Sequence, residues 1–139
     1  MRRKPNPIEI VIKALKQRDL TFQEVRQLLE RRGLGHDSER AIAELQKMGL
    51  LNDKRIAELT VFGNQGRMAV GDQKLVEKLL LRGVDPLVVE EAVATQELDE
   101  LSRAQAIIDL RFGGAVDDKA LRFLWSRGFS EDTLDSLKN

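Results

Sequence analysis

The chain of 139 residues has no cysteine, no tyrosine and a single histidine. Without cysteine there is no disulfide, no thiol nucleophile and no thiolate metal site, which fits a reducing compartment. The lone His36, between Gly35 and Asp37, has no second histidine to build a metal set and reads as a surface loop residue. Aromatics are scarce, five Phe and one Trp. Of Phe22, Phe62, Phe112, Phe123, Trp125 and Phe129, most lie among apolar neighbours and read as core, and a base-stacking platform is not expected. No apolar run approaches the roughly 18 uncharged residues of a membrane span. The start, Met1-Arg2-Arg3-Lys4-Pro5-Asn6-Pro7, is positive. The apolar stretch from Ile8 to Leu15 is broken by Glu9 and Lys13 and leads to no small-residue cleavage site. No signal peptide is therefore expected, and the expected location is cytoplasmic. Neither sign of charge is in excess: 23 Lys plus Arg face 23 Asp plus Glu. A nucleic-acid binder relying on bulk charge carries a basic surplus, so any such role here rests on a local patch.

Catalytic constellations are missing too. Gly63-Asn64-Gln65-Gly66-Arg67 lacks the Lys-Ser/Thr end and preceding strand of a phosphate loop. Asp117-Asp118 and Glu90-Glu91 are neighbours on helices, pointing about 100° apart, and do not converge. Ser102, Ser126 and Ser130 have no histidine base in prospect. The expectation is no enzyme, no metal and no cofactor.

What is present is helical periodicity. Ile8, Val11, Ile12 and Leu15 come after two prolines, one of which can start a helix. Thr21-Phe22-Gln23-Glu24 has the form of a capping box, before Val25, Leu28 and Leu29. Asp37 or Ser38 can cap a helix carrying Ala41, Ile42 and Leu45, and Asn52 or Asp53 opens one carrying Ile56, Ala57, Val61 and Phe62. That helix degrades at residues 63–66, read as a frayed end or loop. Gly71-Asp72 opens a helix with Leu75, Leu79 and Leu80, and Asp85-Pro86 one with Val88, Val89, Ala92 and Val93. Residues 98–112 carry Leu101, Ala104, Ile107, Ile108 and Leu110. Residues 117–127 carry Leu121, Phe123, Leu124 and Trp125, and Ser130 caps a last helix with Leu134 and Leu137. The count is about nine helices, with no run of strand length.

Three segments share one pattern: Leu29-Glu30-Arg31-Arg32-Gly33-Leu34, Leu79-Leu80-Leu81-Arg82-Gly83-Val84 and Leu124-Trp125-Ser126-Arg127-Gly128-Phe129. Glycine supplies the left-handed residue that ends a helix, arginine faces the negative end of the helix dipole, and the next apolar residue packs back near the leucine. The glycines stand at 33, 83 and 128, a period of helical arrays. The expected architecture is all-α, three tandem three-helix repeats over 1–51 (with a basic N-terminal tail), 52–97 and 98–139. Charge divides along this array. Residues 1–83 carry seventeen basic and eleven acidic side chains, while residues 84–139 carry six and twelve. Lys74, Lys78 and Arg82 fall at i, i+4 and i+8 and drift slowly round one helix, with Arg67 just before it.

Four stretches resemble the RecX family of regulators of the RecA recombinase. Leu15-Lys16-Gln17-Arg18 with Thr21-Phe22-Gln23-Glu24-Val25 is similar to that family's opening. Leu45 through Ala57 resembles its Leu-x-x-x-Gly-Tyr-Leu-Asp-Asp-x-Arg-Phe-Ala signature. Gly71 to Leu75 with Leu79 to Val84, and Phe123 to Phe129, resemble two later motifs. The order and spacing match over nearly the whole chain. The departures are Leu50 for Tyr, Asn52 for Asp, Ile56 for Phe, and Val70 for a basic residue. The resemblance implies an elongated, curved array that exists as a monomer. It also implies a non-enzymatic protein that lies in the groove of a RecA–DNA filament, inhibits ATP hydrolysis, strand exchange and coprotease activity, and binds DNA weakly. Candidate contact residues are Arg18, Arg26, Arg55, Arg67, Lys74, Lys78 and Arg82. Two other readings stay open: a helix-turn-helix DNA binder built on Thr21 to Leu51, and a helical interaction scaffold without nucleic acid.

Overall fold

The computed structural model describes residues 5–139, so Arg2, Arg3 and Lys4 of the basic tail lie outside the described residues. Those residues form nine α-helices and no strand. They are α1 (Pro7–Leu15), α2 (Phe22–Arg31), α3 (Ser38–Lys47), α4 (Asp53–Phe62), α5 (Asp72–Leu81), α6 (Pro86–Ala94), α7 (Glu100–Phe112), α8 (Asp118–Ser126) and α9 (Glu131–Lys138). Short 3₁₀ turns at Gly35–Asp37 and Gly66–Met68 precede α3 and α5. A winged motif, which needs strands, is absent among the described residues.

Helix starts obey side-chain chemistry. The capping box forms in full: Thr21 Oγ1 accepts from the Glu24 amide at 3.1 Å, and Glu24 accepts from the Thr21 amide at 2.9 Å. Asn52, Asp85 and Ser130 cap α4, α6 and α9 as their positions suggest. Asp37 and Ser38 do not cap α3; the Asp37 carboxylate is turned to Arg40 instead. The three leucine–arginine–glycine segments end their helices with the same two hydrogen bonds. The residue after glycine donates to the leucine carbonyl, from Leu34 to Leu29 (2.8 Å), Val84 to Leu79 (3.1 Å) and Phe129 to Leu124 (3.2 Å). The glycine amide donates three residues back, and the glycines sit at φ +74°, +82° and +82°.

Three apolar clusters lie along the chain. The first holds Val11, Val25, Leu29, Ile42 and Leu45, the second Ala57, Leu75, Leu79, Val84 and Val89, the third Ile107, Ile108, Leu124, Phe129 and Leu134. Within each successive triplet every helix touches the other two. Burying one such aliphatic side chain contributes about 1.5–3 kcal/mol. The chain exposes 9236 Å². A compact monomer of 15.8 kDa would expose about 7300 Å². The surplus is what a row of modules leaves uncovered.

Several predicted core residues are outside. Phe62 is 80 % exposed and Trp125 62 %. Leu80, Leu101 and Leu110 are exposed as well. Leu80, Leu101, Leu110 and Trp125 flank their helices' buried stripes, whereas Phe62 lies across α4 from Ile56, Ala57 and Val61, and a three-helix module has too little interior to cover a second face. Residues 63–66 are an ordered connector and do not fray. Asn64 donates to the Thr60 carbonyl at 2.7 Å and Gln65 to the Val61 carbonyl at 2.9 Å, closing the end of α4 with side chains.

Candidate partner-binding surface

Neighbouring triplets are joined by one arrangement used twice. At the first joint the Phe22 amide, at the start of α2, donates to Asp53 Oδ1 at 3.0 Å. Thr21 Oγ1 donates to the Arg82 carbonyl at 2.6 Å. The Arg82 guanidinium reaches Glu24 Oε1 at 2.8 Å, Glu24 Oε2 at 3.3 Å and the Asp19 carbonyl at 3.0 Å. At the second joint the Asp72 amide, at the start of α5, donates to Glu100 Oε1 at 2.9 Å. The Gly71 amide donates to the Arg127 carbonyl at 2.9 Å. In both, the start of one module's middle helix is held by the carboxylate at the first position of the next module's first helix and by that module's arginine–glycine corner. The glycines are needed for the approach. A Cβ on Gly83 would lie 2.4 Å from Gln23 Cβ, and one on Gly71 1.9 Å from the Gly128 carbonyl oxygen.

The joints set the local electrostatics. Burial pulls the Glu24 carboxyl up, but the bonds from Arg82 and Thr21 outweigh it and leave it below its ordinary range. Glu100 is likewise raised by burial and lowered further by Thr133, Asp72 and Ser130, ending below that range. Asp53 goes the other way, because burial exceeds the bond from Phe22. Arg103, 2 % exposed, crosses the second joint to pair with Asp72 and donates to the Leu98 carbonyl at 2.9 Å and the Val70 carbonyl at 3.4 Å.

The seven candidate cations separate into groups. Arg18 and Arg82 converge on Glu24, and Arg26 pairs with Glu39 at 2.6 Å. These three are engaged within the first joint and the first module. Lys74 has Gly128 against its side chain at the second joint, so Lys74, Lys78 and Arg82 do not act as one free row. Arg55, Arg67 and Lys74 form no salt bridge or side-chain hydrogen bond among the described residues, and Lys78 donates only to Asn64 Oδ1, at 3.3 Å. Arg55, Arg67 and Lys78 are exposed and gather about the connector after α4. Arg55 lines a groove of about 680 Å³ with Leu59, Phe62, Gln65 and Leu98, and Glu58 and Glu97 are also on its wall; Arg67 follows its Gly66, and Lys78 is bonded to Asn64 next to its Gln65. An exposed aromatic beside uncommitted cations suits a partner that offers acidic or phosphate groups around an apolar contact.

Sequence reasoning missed Arg103 and Glu100, which look like ordinary surface charges on α7. It also missed the exposure of Phe62. The one usable signal was position: Asp53 and Glu100 each come just after an Asn or Asp cap at the start of a module's first helix.

Among the described residues no helix is long and apolar enough to cross a membrane, and no group of three His, Cys, Asp or Glu side chains is placed to hold a metal ion. No family model matches the sequence. No curated protein matches it either. A crystal structure of RecX from Lactobacillus salivarius is similar to it with a TM-score of 0.72 and 22 % identity, over 95 % of this chain and 92 % of that one. The chain has a RecX-like fold.

Proposed function

We propose that this protein is a non-enzymatic regulator that binds a RecA–DNA filament and inhibits its ATP hydrolysis, strand exchange and coprotease activity. The observation that supports this most is the RecX-like fold over nearly the whole chain, joined to the motif order read in the sequence. The segments 1–51, 52–97 and 98–139 act as three modules in a row, long enough to lie across neighbouring filament subunits. Arg55, Arg67 and Lys78, with Phe62 beside them, make the main contact. Arg82 serves chiefly to tie the second module to the first, Arg18 and Arg26 are paired within the first module, and Lys74 belongs to the edge of the surface. Binding to DNA alone is weak, because the basic first part is balanced by an acidic last part and few phosphates are neutralised.

Co-sedimentation tests this reading. RecA filaments assembled on single-stranded DNA are pelleted with the protein. Pelleting with the filament well above pelleting with DNA alone is the expected result. Equal recovery with and without RecA would overturn it.

A further inference from the structure

The groove beside Phe62 has two walls from different parts of the chain. One is the end of α4 with its connector. The other is residues 95–98, the segment that carries the chain from the second module to the third. That second wall is held by a line of polar side chains that runs to the second joint. Gln65 donates to Gln96 Oε1 at 2.9 Å, and Gln96 donates to Asp72 Oδ1 at 3.0 Å. Arg103 pairs with the same Asp72 oxygen and donates to the Leu98 carbonyl at 2.9 Å. Gln65, Gln96 and Leu98 all line the groove. At the far end of the line the Asp72 amide donates to Glu100, which also accepts from the Ser130 amide and from the Ser130 and Thr133 hydroxyls of the third module.

The first joint is built differently at the matching place. Counting from the caps Asn52 and Asp99, Ile56 stands where Arg103 stands. Ile56 is buried, and the cleft beside it holds only about 20 Å³. An isoleucine fills that place without hydrogen bonds. A guanidinium buried there costs desolvation, and a packed apolar side chain of similar volume often serves stability as well or better. What the arginine adds is direction: its bonds fix the carbonyls of Leu98 and Val70, one on each of the two connectors. We infer that Arg103 is a positioning residue for the groove. With Asp72 and Gln96 it sets where the 95–98 wall stands, so a partner seated in the groove also fixes the third module against the second. The inference rests on the groove being the partner contact proposed above. Arg103 itself, 2 % exposed, is too buried to touch a partner and acts through the wall. The coupling runs both ways, from groove to joint and from joint to groove.

Two measurements test this, the first without a partner. In the free protein, amide hydrogen exchange read by mass spectrometry compares wild type with Arg103→Met, which keeps most of the volume and loses the donors. Faster exchange is expected in residues 95–99 and 69–72, with α4, α6 and the first module unchanged. Unchanged exchange in 95–99, or an equal rise throughout the chain, would overturn the positioning role. In the second measurement, binding to RecA filaments on single-stranded DNA is titrated for wild type, Arg103→Met, Phe62→Ala and the double variant. Arg103→Met is expected to weaken binding about fivefold when Phe62 is present and less than about twofold in Phe62→Ala, because both residues act through one groove. Equal losses in the two backgrounds, or wild-type binding by Arg103→Met, would also overturn it. A wild type that does not bind the filament would remove the function proposed above, and the exchange comparison would then decide the role of Arg103 alone.

Discussion

Gly33 and Gly83 do the same thing locally and different things globally. Both end a helix in the left-handed region, and both positions were legible as helix stops. Only Gly83 also lets Gln23 of the neighbouring module approach. An alanine at Gly33 is expected to cost about 1–2 kcal/mol from backbone conformation alone. At Gly83 the same change is expected to cost clearly more, and urea denaturation of the two variants reads the difference. Equal losses would mean that the joint yields without cost. The stop was readable because its hydrogen bonds close within a few residues. Its second role was not, because Gln23 is far from Gly83 in the chain and leaves no local pattern. Arg103 was illegible for a related reason. An arginine among the charged residues of α7 looks solvated, and only its bonds to Asp72, Val70 and Leu98 show otherwise. Arg103→Ala strips donors from two carbonyls and leaves a void, and a loss of about 2–4 kcal/mol is expected in the same assay. Arg103→Met, which keeps most of the volume, is expected to lose less.

α5 shows how an element can divide its residues between tasks. Its row of Lys74, Lys78 and Arg82 reads as one basic stripe. In the folded chain its first member lies at the second joint, its last is clamped on Glu24, and Lys78 is bonded to Asn64 on the connector after α4. Phe62 at the end of α4 makes the converse point. It is one residue on from the buried Val61, but it lies across the helix from Ile56 and Ala57, and so it remains outside. The joints also give the elements a pH dependence. Glu24 and Glu100 have folded pKa values below their unfolded ones, so they stabilise the protein above the carboxylate range and lose that contribution as pH falls through their folded values. Asp53, raised by burial, works in the opposite sense and recovers stability as it takes up a proton. With two groups against one, stability is expected to fall on acidification from neutral pH. Glu100→Gln is expected to be less stable at neutral pH and to show a shallower fall, measured as urea midpoints across the carboxylate range. A wild-type slope in that variant would remove Glu100 from the account.

At the scale of the molecule, three small cores tied by two joints make a helical array. The number of helices and the division of charge were legible because both come from residue counts and local spacing. The way the modules meet was not, because it depends on carboxylates and glycines that pair across the chain. Arg55, Arg67 and Lys78 are set apart from the cations that brace the joints, so on the proposed reading binding contacts and folding rest on different residues. The triple variant Arg55→Glu/Arg67→Glu/Lys78→Glu is therefore expected to melt like wild type. The most direct measurement is the DNA-dependent ATPase of RecA, titrated with the wild-type protein and with this triple variant. The wild type is expected to slow hydrolysis progressively, and the triple variant to need at least tenfold more protein, a loss of about 1.4 kcal/mol in binding. Unchanged hydrolysis at a several-fold excess of the folded wild-type protein would contradict the account.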